Sequence, residues 1–232
     1  MDSADGLRSA IEGGADRIEL CSALELGGLT PSLGLIELAS KAPIPVYAMI
    51  RPRGGNFCFS AEDEAIMLAD IRNARNAGLA GVVVGASLSD GSLDAVMLER
   101  LIAEAKGLGV TLHRAFDLVP DMEIALQQAI ALGFERILTS GLSQTAEDGR
   151  DKLRRLAEMA GEGISIMPGS GVNAENVGRI MEATGAAEVH ASCRVPVEEK
   201  DPRAIAFGFA AEQSFRTCVQ RVRALKTAIA RA

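Results

Sequence analysis

The chain has 232 residues, 48% of them hydrophobic and 24% charged, with a formal net charge of -7. That size suits one large α/β domain spanning residues 1–232, and that apolar share supports a packed globular protein rather than a disordered one. With no block of basic residues and no Trp, it lacks the clustered Lys/Arg that a nucleic-acid surface needs to neutralise phosphates.

The first residues, Met1-Asp-Ser-Ala-Asp-Gly-Leu-Arg, carry charge where a signal peptide needs a long apolar stretch. Apolar runs such as 79–85 fall well short of the roughly 20 residues that cross a bilayer. A cytoplasmic protein with no membrane partner is therefore expected. The four cysteines (Cys21, Cys58, Cys193 and Cys218) show no CxxC spacing and read as reduced thiols.

In chain order, a helical segment over 3–11 comes first, followed by Gly13-Gly14 and a strand over 17–21. Further strands are predicted at 46–51, 81–85, 110–114, 136–140, 164–168 and 188–192, with helices at 61–77, 93–106, 122–132, 152–160 and 174–184. Ser60 with Asp63 reads as a capping box, Asn173 as the cap of the helix after the Gly-rich turn, and Gly78, Gly133 and Gly185 as helix stops. Alternating strands and helices predict a parallel sheet covered by helices. Seven strands are counted, and a helix opens the chain with no strand before it. The expectation is a TIM-like (β/α)8 barrel lacking its first strand, with an open seven-stranded sheet as the alternative.

Period-2 alternation sorts the strand residues onto two faces. Ile18 and Leu20, Val46, Ala48 and Ile50, Val110 and Leu112, and Val189 and Ala191 should face the helices. Glu19 and Cys21, Tyr47, Met49 and Arg51, Thr111 and His113, and Glu188, His190 and Ser192 should face the axis. The only two histidines, His113 and His190, then both close strands at the end where such folds collect ligand chemistry. Charges inside must be paired, and an Arg51–Glu19 pair is expected.

Arg51 and Arg53, fixed at one strand end before Gly54-Gly55, suit a carboxylate or phosphate; the alternative is one structural and one solvated arginine. Gly169, Ser170 and Gly171 join a strand to a helix, where free backbone N–H groups hold phosphate in many barrels, unless the turn merely reverses the chain. Thr139-Ser140-Gly141 could add hydroxyl donors. Asp117, four residues past His113, could orient it or act as a base, or simply cap. Cys21, Met49, Met167, His113 and His190 could converge as a soft site, which would select Cu(I), or the sulfur residues could be packing.

Several segments closely resemble the CutC copper homeostasis family: residues 14–21 (GADRIELC), 27–32 (GGLTPS), 50–57 (IRPRGGNF), 112–117 (LHRAFD), 137–141 (ILTSG), 167–171 (MPGSG) and 188–192 (EVHAS). The resemblance implies a TIM-like barrel, a cytoplasmic location and copper binding or handling. Members begin with a strand upstream of the segment matching Asp2–Leu7, and that strand carries one of two proposed Cu(I) cysteines. Only Cys21 carries over. Edges exposed beside the missing strand would favour self-association.

Two functions are thus expected. One is copper handling with Cys21 as the soft ligand. The other is isomerase- or lyase-type acid–base chemistry on a small phosphorylated or carboxylated metabolite. There Arg51 and Arg53 would clamp the anion, Glu19, His113, Asp117 and His190 would move protons, and Ser140, Gly169, Ser170 and Gly171 would bind the anion. No strand-end lysine is available for a Schiff base.

Overall fold

The computed structural model describes residues 1–232. Six short strands form one parallel sheet in sequential order: β1 (Ile18–Leu20), β2 (Val46–Met49), β3 (Gly81–Val84), β4 (Gly109–Leu112), β5 (Arg136–Thr139) and β6 (Ser165–Pro168). Helices α1 (Ala4–Gly13) and α2 (Leu33–Ala39) flank β1, and α3 (Ala61–Asn76), α4 (Ala95–Glu104), α5 (Met122–Leu132) and α6 (Arg150–Ala160) are the crossovers between later strands. α7 (Val177–Thr184) follows β6. No helix is long and apolar enough to cross a membrane.

Local chemistry sets these boundaries. Ser3 caps α1 by accepting from the Gly6 N–H, and Ser60 and Asp63 form the expected reciprocal box at the start of α3. α5 stops at Gly133, which supplies the left-handed φ of +83°. Asn173 does not cap α7. Its Oδ1 accepts from the Glu175 and Asn176 N–H groups and so closes a turn one step earlier; the helix begins at Val177.

The outward residues of the strands merge with the helices into one core. Ile18, Leu20, Val46, Ala48, Ile50, Val82, Val84, Val110, Leu112, Ile137 and Ile166 all belong to it, and α3 adds Met67, Ile71 and Ala74 at helical spacing. Each such side chain contributes about 1.5–3 kcal/mol by leaving water.

The inner face curls. Tyr47 of β2 reaches across to donate to Glu135 Oε2 beside β5 (3.1 Å), and Arg17 before β1 reaches the sulfur of Met167 on β6 (3.0 Å). These cross-interior contacts make the sheet a half-barrel. Gly81 permits the curl at β3, because a Cβ there would lie 2.2 Å from Tyr47 Cε1.

The strand expected over 188–192 does not form. That segment meets the free edge of β6 through a single backbone bond, His190 N to Pro168 O (2.8 Å). It has no strand on its other side and peels away into an antiparallel arm that the sequence reading missed. The arm pairs β7 (Arg194–Glu198) with β8 (Gln213–Thr217) around the short α8 (Pro202–Ala206), and α9 (Val219–Ile229) returns against α1 and α7. On the other free edge, the amino terminus takes a strand-like position. Met1 donates to Glu19 O and its carbonyl accepts from Cys21 N, both at 2.9 Å. The six-stranded sheet therefore has a seam between β6 and β1.

Candidate functional site

A cavity of about 470 Å³ opens at the carboxyl ends of the strands. Glu19 enters it from β1, Arg51 from the end of β2, His113 from the end of β4, Ser170 and Gly171 from the turn after β6, and His190 from the segment beyond. Alternation had placed Glu19, Arg51, His113 and His190 on one interior face, and the fold brings all four to one cavity.

Arg51 is 5% exposed and has no carboxylate partner. Its Nη1 donates to the carbonyls of Leu26 (2.7 Å) and Gly28 (3.1 Å), its Nη2 donates to Gly55 O (2.7 Å), and its buried Nε has no partner. Burial, then the nearby Arg53, lowers its pKa from the ordinary guanidinium value. The expected Arg51–Glu19 pair is absent. Glu19 instead faces His190, with Nδ1 and Oε2 4.0 Å apart, and accepts from the Cys21 thiol at 3.7 Å.

His113 is 3% exposed, and its Nδ1 accepts from the Ala115 N–H (3.1 Å). The proton of the neutral ring therefore sits on Nε2, which is buried and unpartnered. Burial, reinforced by the Arg51 charge, pushes the imidazole down to about 3. His113 thus presents an N–H donor at neutral pH rather than a base. Its ring lies on Gly85, where a Cβ would sit 2.3 Å from Cε1, and against Phe57, with centroids 4.8 Å apart; Arg51 covers the same Phe57 ring. Burial also lowers the pKa of His190, with Glu19 opposing it.

The turn after β6 carries free backbone N–H groups. Ser170 and Gly171 have φ of +76° and +75°, and the N–H groups of Ser170, Gly171 and Val172 make no hydrogen bond. Such unpaired N–H groups are donors open to an oxygen acceptor. Gly169 N is already spent on Thr139 O (2.9 Å).

The remaining expected site residues lie elsewhere. Arg53 turns away from the cavity to Asp63 (2.9 Å), with its other nitrogens on Gly54, Asn56 and Cys58. Asp117 makes no contact with His113. Its carboxylate is saturated by the Thr139 hydroxyl, the Ser140 hydroxyl and N–H, the Leu142 N–H and Arg114 Nε. Ser140 is fully buried, and its hydroxyl is spent on Asp117 and Ser143 O. These three support the rim without facing it.

The sequence reading missed Arg114, Arg194 and Arg221, which also line the cavity. Arg114 was visible beside His113. Arg194 and Arg221 arrive from β7 and α9, which have no local motif. Four arginines thus surround a cavity whose only lining carboxylate is Glu19, in a chain of net charge -7.

The residues do not fit a resident Cu(I) ion. Burial, then the Glu19 charge, pushes the Cys21 thiol well above its usual value, away from the thiolate that copper binds. A ligating histidine normally donates its other ring N–H to an acceptor, but His113 Nδ1 faces an N–H. No three His, Cys, Asp or Glu side chains converge as a ligand set.

A half-barrel with a cationic mouth defines a TIM-barrel-like α/β protein. The fold alone is shared with deoxyribose phosphate aldolase from Aeropyrum pernix (TM-score 0.62, 16% identity, covering 83% of this chain and 83% of that one). The chain belongs to the CutC family, whose model matches residues 1–195. The Rhizobium meliloti family protein CutC is 53% identical over 226 residues, covering 97% of this chain and 92% of the relative. The crystal structure of CutC from Streptococcus agalactiae, named for copper homeostasis, superimposes with a TM-score of 0.73 at 38% identity, over 75% of this chain and 87% of that one.

Proposed function

We propose that the protein, working as one domain, is an enzyme that moves a proton next to a carbonyl on a small phosphorylated or carboxylated metabolite. The buried Arg51 guanidinium, without a counter-ion and beside the unpartnered Nε2–H of His113, carries this reading. A buried cation is costly unless an anion completes it. Arg51 donates to the substrate's carboxylate or enolate oxygen, while His113 donates to the carbonyl as a neutral electrophile. The free N–H groups of Ser170, Gly171 and Val172 hold a phosphate. The Glu19–His190 pair takes and returns the proton, a role for which neutral His190 is suited.

Calorimetric titration with inorganic phosphate and with 3-phosphoglycerate tests it. Both should bind, and Arg51→Lys should weaken 3-phosphoglycerate at least about tenfold by losing the planar fork. Equal affinity in both proteins removes the assignment.

A second reading, cytoplasmic copper handling, rests on the family's link to copper homeostasis and on Cys21 Sγ and Met49 Cε flanking Gly28 together. It needs Cys21 to ionise on binding. Cu(I) titration should then give a clear loss of affinity in Cys21→Ser, and equal weak binding by both proteins would discard it.

A further inference from the structure

We propose that Cys193 and Cys218 are a redox-active thiol pair whose disulfide ties the rim of the cavity to the start of α9. The β7–β8 ladder runs from Glu198↔Gln213 to Arg194↔Thr217, so the next facing pair at the root of the arm is Cys193 and Cys218. The ladder continues there, because Cys218 N donates to Cys193 O (3.0 Å). Cys193 takes a left-handed φ of +47° and so leaves the strand's alternation; the ladder pairing sets it opposite Cys218, whose thiol rests on Gln220 Oε1 (3.0 Å). Facing residues of an antiparallel pair have Cβ atoms about 4.5–5.5 Å apart, and a disulfide takes about 3.5–4.5 Å. A slight closure at the root of a two-stranded arm supplies the difference.

The remaining cysteines are placed otherwise. Cys21 lies inside the half-barrel, and Cys58 donates to Leu88 O on a loop. Burial, then Cys218, raises the pKa of Cys193, which disfavours Cys193 as the attacking thiolate.

The oxidant is hydrogen peroxide. The Cys218 thiolate attacks one peroxide oxygen; an S–O bond forms, the O–O bond breaks and hydroxide leaves to become water. Cys193 then attacks the sulfenic sulfur; the S–S bond forms, the S–O bond breaks and a second water leaves. Two thiols lose two electrons and one peroxide becomes two waters. Cys193 lines the cavity and lies three residues after His190, so the bridge anchors the segment bearing His190 to α9.

Treating the full chain with one equivalent of hydrogen peroxide tests this. The titratable thiols of the unfolded protein should fall from four to two, with a Cys193–Cys218 peptide in a non-reducing mass map. Amide exchange over 190–194 should slow about tenfold or more in the oxidised form, because local opening then costs more. Cys193→Ser and Cys218→Ser should each abolish the cross-linked peptide. Reduced Cys193 and Cys218 in the oxidised wild type, a bridge between two chains, or unchanged exchange over 190–194 would each overturn the proposal; the wild-type map decides even if a variant fails to fold.

Discussion

At the floor of the half-barrel, every interior charge has a partner. Arg17 Nη2 and Arg136 Nε both donate to Glu188 (2.8 and 3.1 Å), Arg136 Nη1 donates to Glu135 (3.0 Å), and the Ser165 hydroxyl completes Glu188. Both guanidiniums cover the Tyr47 ring, with centroid distances of 5.5 and 5.2 Å. Burial opposes charge on Glu188, yet Ser165, Arg17 and Arg136 hold its carboxyl below the usual range. At the mouth, Arg51 meets only carbonyls and His113 offers an N–H to nothing. The same residue types are closed off at one end and left open at the other. A saturated network is a structural plug; the unsaturated one of the same chemistry is where we propose the anion binds.

The sharpest way to break this contrast is at the floor. Glu188→Gln leaves Arg17 and Arg136 short of a counter-charge and should cost about 3 kcal/mol, less than for a fully buried pair because about a quarter of these side chains is exposed. Urea unfolding reads this directly, and a loss under about 1 kcal/mol would remove the plug. Next comes Gly85→Ala. The new methyl must displace the His113 ring or the β3 backbone, at about 1–3 kcal/mol, and 3-phosphoglycerate binding should fall with it. Intact binding would show that the Nε2–H of His113 is not part of the receptor.

The pH dependence of stability sharpens the comparison further. The unfolded chain takes up the His113 proton near 6.5, whereas the folded chain keeps the ring neutral to about 3. Between those values the unfolded state binds more protons, so the contribution of His113 is full above about pH 6.5 and is lost as pH falls toward 3. His113→Gln should flatten the slope of unfolding free energy in that window; an unchanged slope would contradict the neutral buried imidazole. The smallest effect belongs to Arg53→Ala. Its pair with Asp63 is 39% exposed on the arginine side, so the loss should stay below about 1 kcal/mol with phosphate affinity unchanged.

Much of the site was legible because a strand has a strict two-residue period. That rule sent Glu19, Met49, Arg51, Thr111 and His113 inward and Ile18, Leu20, Val110 and Leu112 to the helices. Arg51 and Arg53 show where it stops. Two residues apart, they share a face on paper, but the chain leaves β2 at Met49 and Arg53 sits in a loop, where Asp63 at the α3 cap captures it. Asp117 is similar: four residues from His113 in sequence, it is claimed by Arg114 and by donors 22 to 25 residues away.

By itself, the sequence determined the alternating α/β plan, the start of α3 and the stop of α5, and the inward identity of the polar residues on the strands that form, because these depend on backbone period and nearest neighbours. Tertiary structure alone decided which of those polar groups found a partner. It withheld a carboxylate from Arg51, set the tautomer of His113 through the Ala115 N–H, and turned 188–192 from a strand into the root of an arm. Partnership depends on groups distant in the chain meeting within hydrogen-bond reach, and no local pattern encodes that meeting.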